Sequence, residues 1–311
     1  MDFFDLHCDT ITKCFDTGQS LFDGDREVSI TKAGGIANWC QFFAIFIGDD
    51  ADPDDAFDKY RDYVASFKAS MDKYHEDIAQ SVTAGDIDAA LATGKCAAVI
   101  TVENAALLNG DLNNIEKLAK DGVKVIALTW NGENKLGYGC AFSEGLKPFG
   151  KDAVKEMARH GVVADVSHLS DAGFYDVMDI PDCTVIVTHS NLRSMCGHAR
   201  NLTEEQFCEI ARRKGIVGLN LHLPFINDFG DPETASKIEY LFRHTDRMLE
   251  LGGHDTVCIG SDFDGAAMPE YCKDISFIPY LFDEFCGRYG EEQAKKIFFG
   301  NAKAFVDTHF K

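Results

Sequence analysis

Eight short apolar runs, each followed by a loop and an amphipathic stretch, restrict the folds open to this 311-residue chain more than any other feature. They are Phe3–His7, Trp39–Phe46, Ala97–Val102, Val123–Thr129, Val162–Val166, Thr184–Thr188, Ile216–Leu221 and Val257–Ser261. Most are apolar almost throughout, as strands must be when both faces of a parallel sheet are covered. The segments between them have helical periodicity. Thr203 and Gln206 stand at capping-box spacing ahead of Phe207, Ile210 and Ala211. Ile238, Leu241, Phe242, Thr245, Met248 and Leu249 share one helical face, and Gly252 is placed to end that helix. Val154, Met157 and Ala158 share another face ahead of Gly161. Strands alternating with helices give right-handed βαβ units. Eight such units favour a closed (β/α)8 TIM barrel over an open doubly wound sheet, and the length suits one barrel, so residues 1–311 read as a single α/β domain.

Several function classes fall away early. No G-x-G-x-x-G follows the first strand, which weakens a dinucleotide-binding reading. A net charge of −21 repels phosphate backbones and anionic headgroups, so neither nucleic acid nor membrane is an expected partner. The 11 cysteines are scattered through apolar runs with no C-x-x-C pair, and read as buried, reduced thiols rather than a disulfide framework or a metal site. The N-terminal MDFFDLHCDT has no charged n-region or apolar h-region, so no signal peptide is expected and a cytoplasmic location follows as the default.

The chemistry sits where the apolar runs stop. The first run ends in His7-Cys8-Asp9, the third in Val102-Glu103, the fifth in Asp165-Val166-Ser167-His168, the sixth in Thr188-His189-Ser190 and the eighth in Ser261-Asp262-Phe263-Asp264-Gly265. In a barrel those C-terminal ends converge on one mouth, where barrel enzymes keep their active sites. Residues i and i+2 of a strand point the same way, so His7 and Asp9 can reach one ion while Cys8 turns aside. Imidazole and carboxylate suit zinc or a similar divalent ion. Glu103 could offer one oxygen to each of two ions, with His168 and His189 holding the second. His222, just beyond the seventh run, is placed to contact substrate. His75, His160, His254 and His309 read as surface residues, and His198 and His244 as non-ligands. The acid run DDADPDDAFD (Asp49–Asp58) reads as a solvated loop and helix start.

These residues resemble the membrane (renal) dipeptidase family of metal-dependent amidohydrolase-type barrels, and the likeness runs from DLHCDT to FFGNAKAFV. It includes H-x-D on the first strand, VEN with Glu103, DVSH with His168, THSN with His189, HARN with Arg200 and GSDFDG with Asp262. The resemblance implies two bound divalent ions, zinc by expectation: His7 and Asp9 on one, His168 and His189 on the other, and Glu103 bridging. It makes Asp262 the acid/base that handles the proton of the attacking water, and Arg200 the clamp on the substrate's C-terminal carboxylate. The substrate is then a dipeptide with a free C-terminus, a D-residue being tolerated there, and a homodimer is common in the family.

The sequence departs from the family at one position. Mammalian members carry a substrate-contacting histidine after the LT motif, where this chain has Leu128-Thr129-Trp130-Asn131. Trp130 can offer only an indole N–H, so substrate preference is expected to differ. Hydrolysis of a lactone, cyclic amide or N-acyl amino acid therefore stays open as an alternative. A phosphoesterase ranks below it, because no cluster of basic residues lies near the motifs beyond Arg193 and Arg200. A catalytically silent metal-binding barrel is the remaining alternative.

Overall fold

The computed structural model describes residues 1–227 and 237–311. Its strands are β1 (Asp2–Cys8), β2 (Asn38–Phe46), β3 (Ile78–Gln80), β4 (Cys96–Glu103), β5 (Val123–Ala127), β6 (Val163–Asp165), β7 (Val185–Ile186), β8 (Val217–Leu219) and β9 (Val257–Ile259). Pairing is parallel throughout, in the order β7-β6-β5-β4-β2-β1-β9-β8. A parallel bridge between Val187 and Val217 joins the two ends of that path and closes an eight-stranded barrel. Closure needs glycine at two positions, because a Cβ on Gly218 or Gly260 would run into the Thr188 carbonyl.

One ring of apolar side chains fills the barrel below its mouth. It includes Phe4 and Leu6 of β1, Phe42 of β2, Val99 of β4, Val125 of β5 and Val163 of β6. Phe305, Val306 and Phe310 at the C-terminal end seal the opposite opening. Cys8 packs in the separate cluster between strands and helices, so it does turn away from the mouth. The β1–β2 register shifts between Asp5 and Cys8, where the inward-facing positions pass from Phe4 and Leu6 to His7 and Asp9.

The expected elements recur with three differences. β3 is a ninth strand, too short to register as an apolar run; it pairs with the first half of β4, ahead of where β5 begins. β5 to β9 stop short of the apolar runs that mark them, and at the ends of β6, β7 and β9 buried carboxylates replace ladder partners. Asp5 accepts from the backbone N–H of His7 at 3.3 Å and of Ser261 at 2.8 Å. Asp165 accepts from the N–H of Ser167 at 2.9 Å and of Thr188 at 3.2 Å. Finally, the helix Pro148–Arg159 buries Ala153, Val154 and Met157, while Ala158 faces solvent. The helix Glu204–Arg212 is N-capped by the Thr203–Gln206 box, and Ile238–Glu250 ends ahead of Gly252 at φ 90°.

None of the 11 cysteines forms a disulfide. Among the described residues no helix is long and apolar enough to cross a membrane.

Candidate metal centre and active-site cleft

His7, Asp9, Glu103, His168, His189 and Asp262 arrive from five strands and meet at the C-terminal mouth, each less than a tenth exposed. Glu103 lies at the centre and divides its carboxylate. Its Oε2 is 3.4 Å from His7 Nε2, which in turn is 3.4 Å from Asp9 Oδ2. Its Oε1 is 2.8 Å from His168 Nε2 and 3.8 Å from His189 Nε2. Asp262 Oδ1 stands 3.9 Å from His7 Nε2, and the His7 and His189 rings stack with centroids 3.8 Å apart.

The imidazoles are oriented from behind. His168 Nδ1 is 3.2 Å from the Asn131 side-chain oxygen, so it is the protonated nitrogen. Thr188 Oγ1 donates to Asp165 and accepts from His189 Nδ1 at 2.8 Å. This Asp165–Thr188–His189 relay fixes the His189 tautomer and turns its Nε2 lone pair to the mouth. The Nε2 atoms of His168 and His189 therefore face one another as lone pairs at 3.0 Å. Two acceptors at that distance repel unless a cation stands between them and Glu103. His7 Nε2 and Asp9 Oδ1 are likewise buried without a hydrogen-bond partner.

The electrostatics of His168 and His189 fit cation binding in the same way, whereas His7, although burial lowers it, is held well above the ordinary imidazole range by Glu103 and Asp9. Burial, then the charges of His7 and Arg200, holds His189 well below the ordinary imidazole range; burial and Arg200 lower His168. Both are neutral, the form that ligates. Burial, and then the charge of Glu103, pushes Asp9 up to about 7. Crowded buried carboxylates of this kind are the hard and borderline ligands of divalent ions. Gly265 makes room for them, since a Cβ there would collide with Asp9 Oδ2 and come within 2.9 Å of Asp262 Oδ1.

A cavity of about 410 Å³ opens over the cluster, and Trp130, His222, Phe46 and Phe225 form part of its wall. Trp130 packs edge-on to Phe46 with ring centroids 5.1 Å apart. His222 Nδ1 accepts from the Ala267 N–H at 3.0 Å, which leaves Nε2 as its donor. Arg200 is buried, with its guanidinium over the ring of Phe225, a residue of the cavity wall. Its Nη1 donates to the Ser167 carbonyl and the Ser190 hydroxyl, while Nε and Nη2 have no hydrogen-bond partner among the described residues.

Sequence reasoning passed over the residues that hold these groups: Asn131, Asp165, Thr188 and Asn220. Asp165, Thr188 and Asn220 are marked only by their position at strand ends, and Asn131 lies in the loop after β5. The acid run is only partly solvated loop, because Asp49 accepts from Asn104 Nδ2 at 3.0 Å and Asp50 lines the cavity. His75 and His254 are exposed, whereas His160 and His309 are half-buried. His244 is fully buried, accepting from the Leu192 N–H at 3.1 Å and donating to the Ile226 carbonyl at 2.9 Å, so it is structural.

A parallel barrel with imidazoles and carboxylates converging at its C-terminal mouth defines the class of metal-assisted barrel hydrolases. The chain belongs to the membrane dipeptidase family, peptidase family M19, whose profile matches residues 1–306. Among solved structures, the dipeptidase AC, a metallopeptidase of that family, superposes with a TM-score of 0.94 at 24% identity, over 100% of this chain and 99% of that one. A metallopeptidase from Rhodobacter sphaeroides, solved with a phosphinate mimic of L-Ala-D-Ala, has a TM-score of 0.92 at 24% identity over 99% of both chains. An uncharacterized Klebsiella pneumoniae protein from the pqqA 5′ region is 29% identical over 210 residues, 65% of this chain and 78% of that protein.

Proposed function

We propose that this protein is a two-metal dipeptidase that cleaves dipeptides with a free C-terminal carboxylate. The single observation that carries the reading is Glu103, whose two oxygens serve two separate sets of ligand atoms. In it, His7 and Asp9 hold one divalent ion, His168 and His189 hold the other, and Glu103 bridges; zinc suits the nitrogen and oxygen donors. Two such ions supply an activated water near neutral pH and polarise the scissile carbonyl.

The chain's own residues do the rest. Asp262 Oδ1 faces the cluster, where it takes the proton of the attacking water and returns it to the leaving amine. Arg200 has two unpartnered donors, Nε and Nη2, matching the two oxygens of a carboxylate. A buried cation with spare donors gains more from an anion than an exposed one would, which selects short substrates over internal peptide segments. The His222 Nε2–H and the Trp130 indole complete the contacts on the cavity wall. A D-residue at the C-terminal position fits this scheme, and the Rhodobacter sphaeroides neighbour was solved with a mimic of L-Ala-D-Ala. Eleven cysteines without a disulfide suit a reducing, cytoplasmic setting.

The test is hydrolysis of a panel of L,L- and L,D-dipeptides by purified protein, before and after chelation and with zinc restored. Activity that is lost with chelator and regained with zinc supports the proposal. With two ions bound per chain and no dipeptide cleaved, it fails. The apolar wall of Trp130 and Phe46 favours one second reading, cleavage of an N-acyl amino acid whose acyl group packs there. N-acyl substrates in the same panel separate the two.

A further inference from the structure

Asp262 occupies an unusual backbone conformation, φ 66°, at the end of β9, and its side chain meets one fixed donor. Asn220, at the end of the neighbouring β8, donates from Nδ2 to Asp262 Oδ2 at 3.0 Å. An asparagine amide can ordinarily sit either way round; this one cannot. Its Oδ1 accepts from the His222 N–H at 2.6 Å, which commits the nitrogen to Asp262. Its backbone is fixed as well, with the Asn220 N–H donating to Asn191 Oδ1 at 3.1 Å and its carbonyl accepting from Asn191 Nδ2 at 2.9 Å. Both asparagines are fully buried.

We infer that Asn220 is the positioning residue of the reaction: it locks Oδ2 of Asp262 as an acceptor and leaves Oδ1 as the one oxygen presented to the cluster. A carboxylate free to rotate would offer either oxygen and would swing away from the reacting water for part of the time. With Oδ2 held by an N–H, a proton taken by Asp262 rides on Oδ1, the oxygen 3.9 Å from His7 Nε2. Transfer to the leaving amine then needs no side-chain rotation. The His222 backbone is tied to the same amide, so one buried asparagine sets both the acid/base group and a wall of the substrate cavity. The inference rests on the reading of Asp262 as the acid/base.

Two variants separate orientation from bulk. Asn220→Asp keeps the size and the acceptor for His222 but turns an oxygen instead of an N–H towards Asp262; Asn220→Ser shortens the side chain and keeps a donor. In the metal-loaded enzyme, Asn220→Asp is expected to lower kcat roughly ten- to a hundredfold, the usual effect of removing such an outer partner. KM and the number of bound ions stay as in wild type, and Asn220→Ser recovers part of the rate. Crystals of the two variants supply the readout that does not depend on activity, with the Asp262 carboxylate rotated in Asn220→Asp. Wild-type kcat in Asn220→Asp, or a loss explained by fewer bound ions, overturns the inference. So does an Asp262 carboxylate unmoved in the crystals, and that result stands even if wild-type protein cleaves no dipeptide and the substrate reading itself fails.

Discussion

His168 and His189 meet Nε2 to Nε2 at 3.0 Å while each commits its Nδ1 proton to an acceptor behind it. The pair is therefore stable only with positive charge between or beside the two lone pairs. Metal-free protein is expected to melt well below the metal-loaded form. Zinc at a thousand times its dissociation constant adds about 4 kcal/mol to the folded state. Melting curves with chelator and with graded zinc test this, and curves that superpose would remove metal from the account of stability.

Asp262→Asn keeps the shape and the acceptor oxygen for Asn220 but cannot take a proton. It is expected to retain both ions and to lose about 10²–10⁴ in kcat, the usual range for general acid–base help. Metal analysis and steady-state rates on one preparation decide the matter, and a near-normal rate takes Asp262 out of the mechanism.

Arg200→Lys keeps the charge and gives up the forked donor geometry. Hydrogen bonds to charged groups contribute about 1.5–3 kcal/mol, so kcat/KM should fall roughly ten- to a hundredfold, mostly through KM. A dipeptide amide, lacking the C-terminal carboxylate, should be a poor substrate for wild type and should lose little more in the variant. Equal losses on acid and amide would assign Arg200 a purely structural role.

Glu27 offers a pH test at a residue outside the proposed ligand set. Burial, with help from the charges of Asp264 and Asp262, pushes its carboxyl up to about 7, against a hydrogen bond from the Asp264 N–H that lowers it. A group whose pKa is higher folded than unfolded takes up a proton on folding. Its contribution is complete below its unfolded value of 4.5 and is lost as the pH rises through about 7. Glu27→Gln should flatten the fall in melting temperature between pH 5 and 8; parallel curves for the two proteins would contradict it.

Much of this was legible in the sequence, and the reason is physical. Covered parallel strands must be apolar on both faces, so a run such as Ala97–Val102 declares itself, and Glu103 is conspicuous because a charge at its end has no packing purpose. His7, Asp9, His168 and His189 stand out on the same ground. Strand length was less legible, since β6 and β7 are cut short by the Asp165 side chain, and no local pattern reveals which backbone N–H a distant carboxylate will take. Asn131, Thr188 and Asn220 are common polar residues whose task appears only when the barrel sets each beside its partner. β3, three residues long, carries too little pattern to see.

The placement of β1 has a consequence for how the protein is made. β1 lies between β2 and β9, and His7 rests against both His189 and the carboxylate of Asp262. His7, made among the first residues, thus gains its full set of neighbours only once β9 has followed. The mouth of the barrel is then complete only late in synthesis, and a nascent chain stalled ahead of β9 would hold His7 without the Asp262 carboxylate and β1 with one of its two strand neighbours missing.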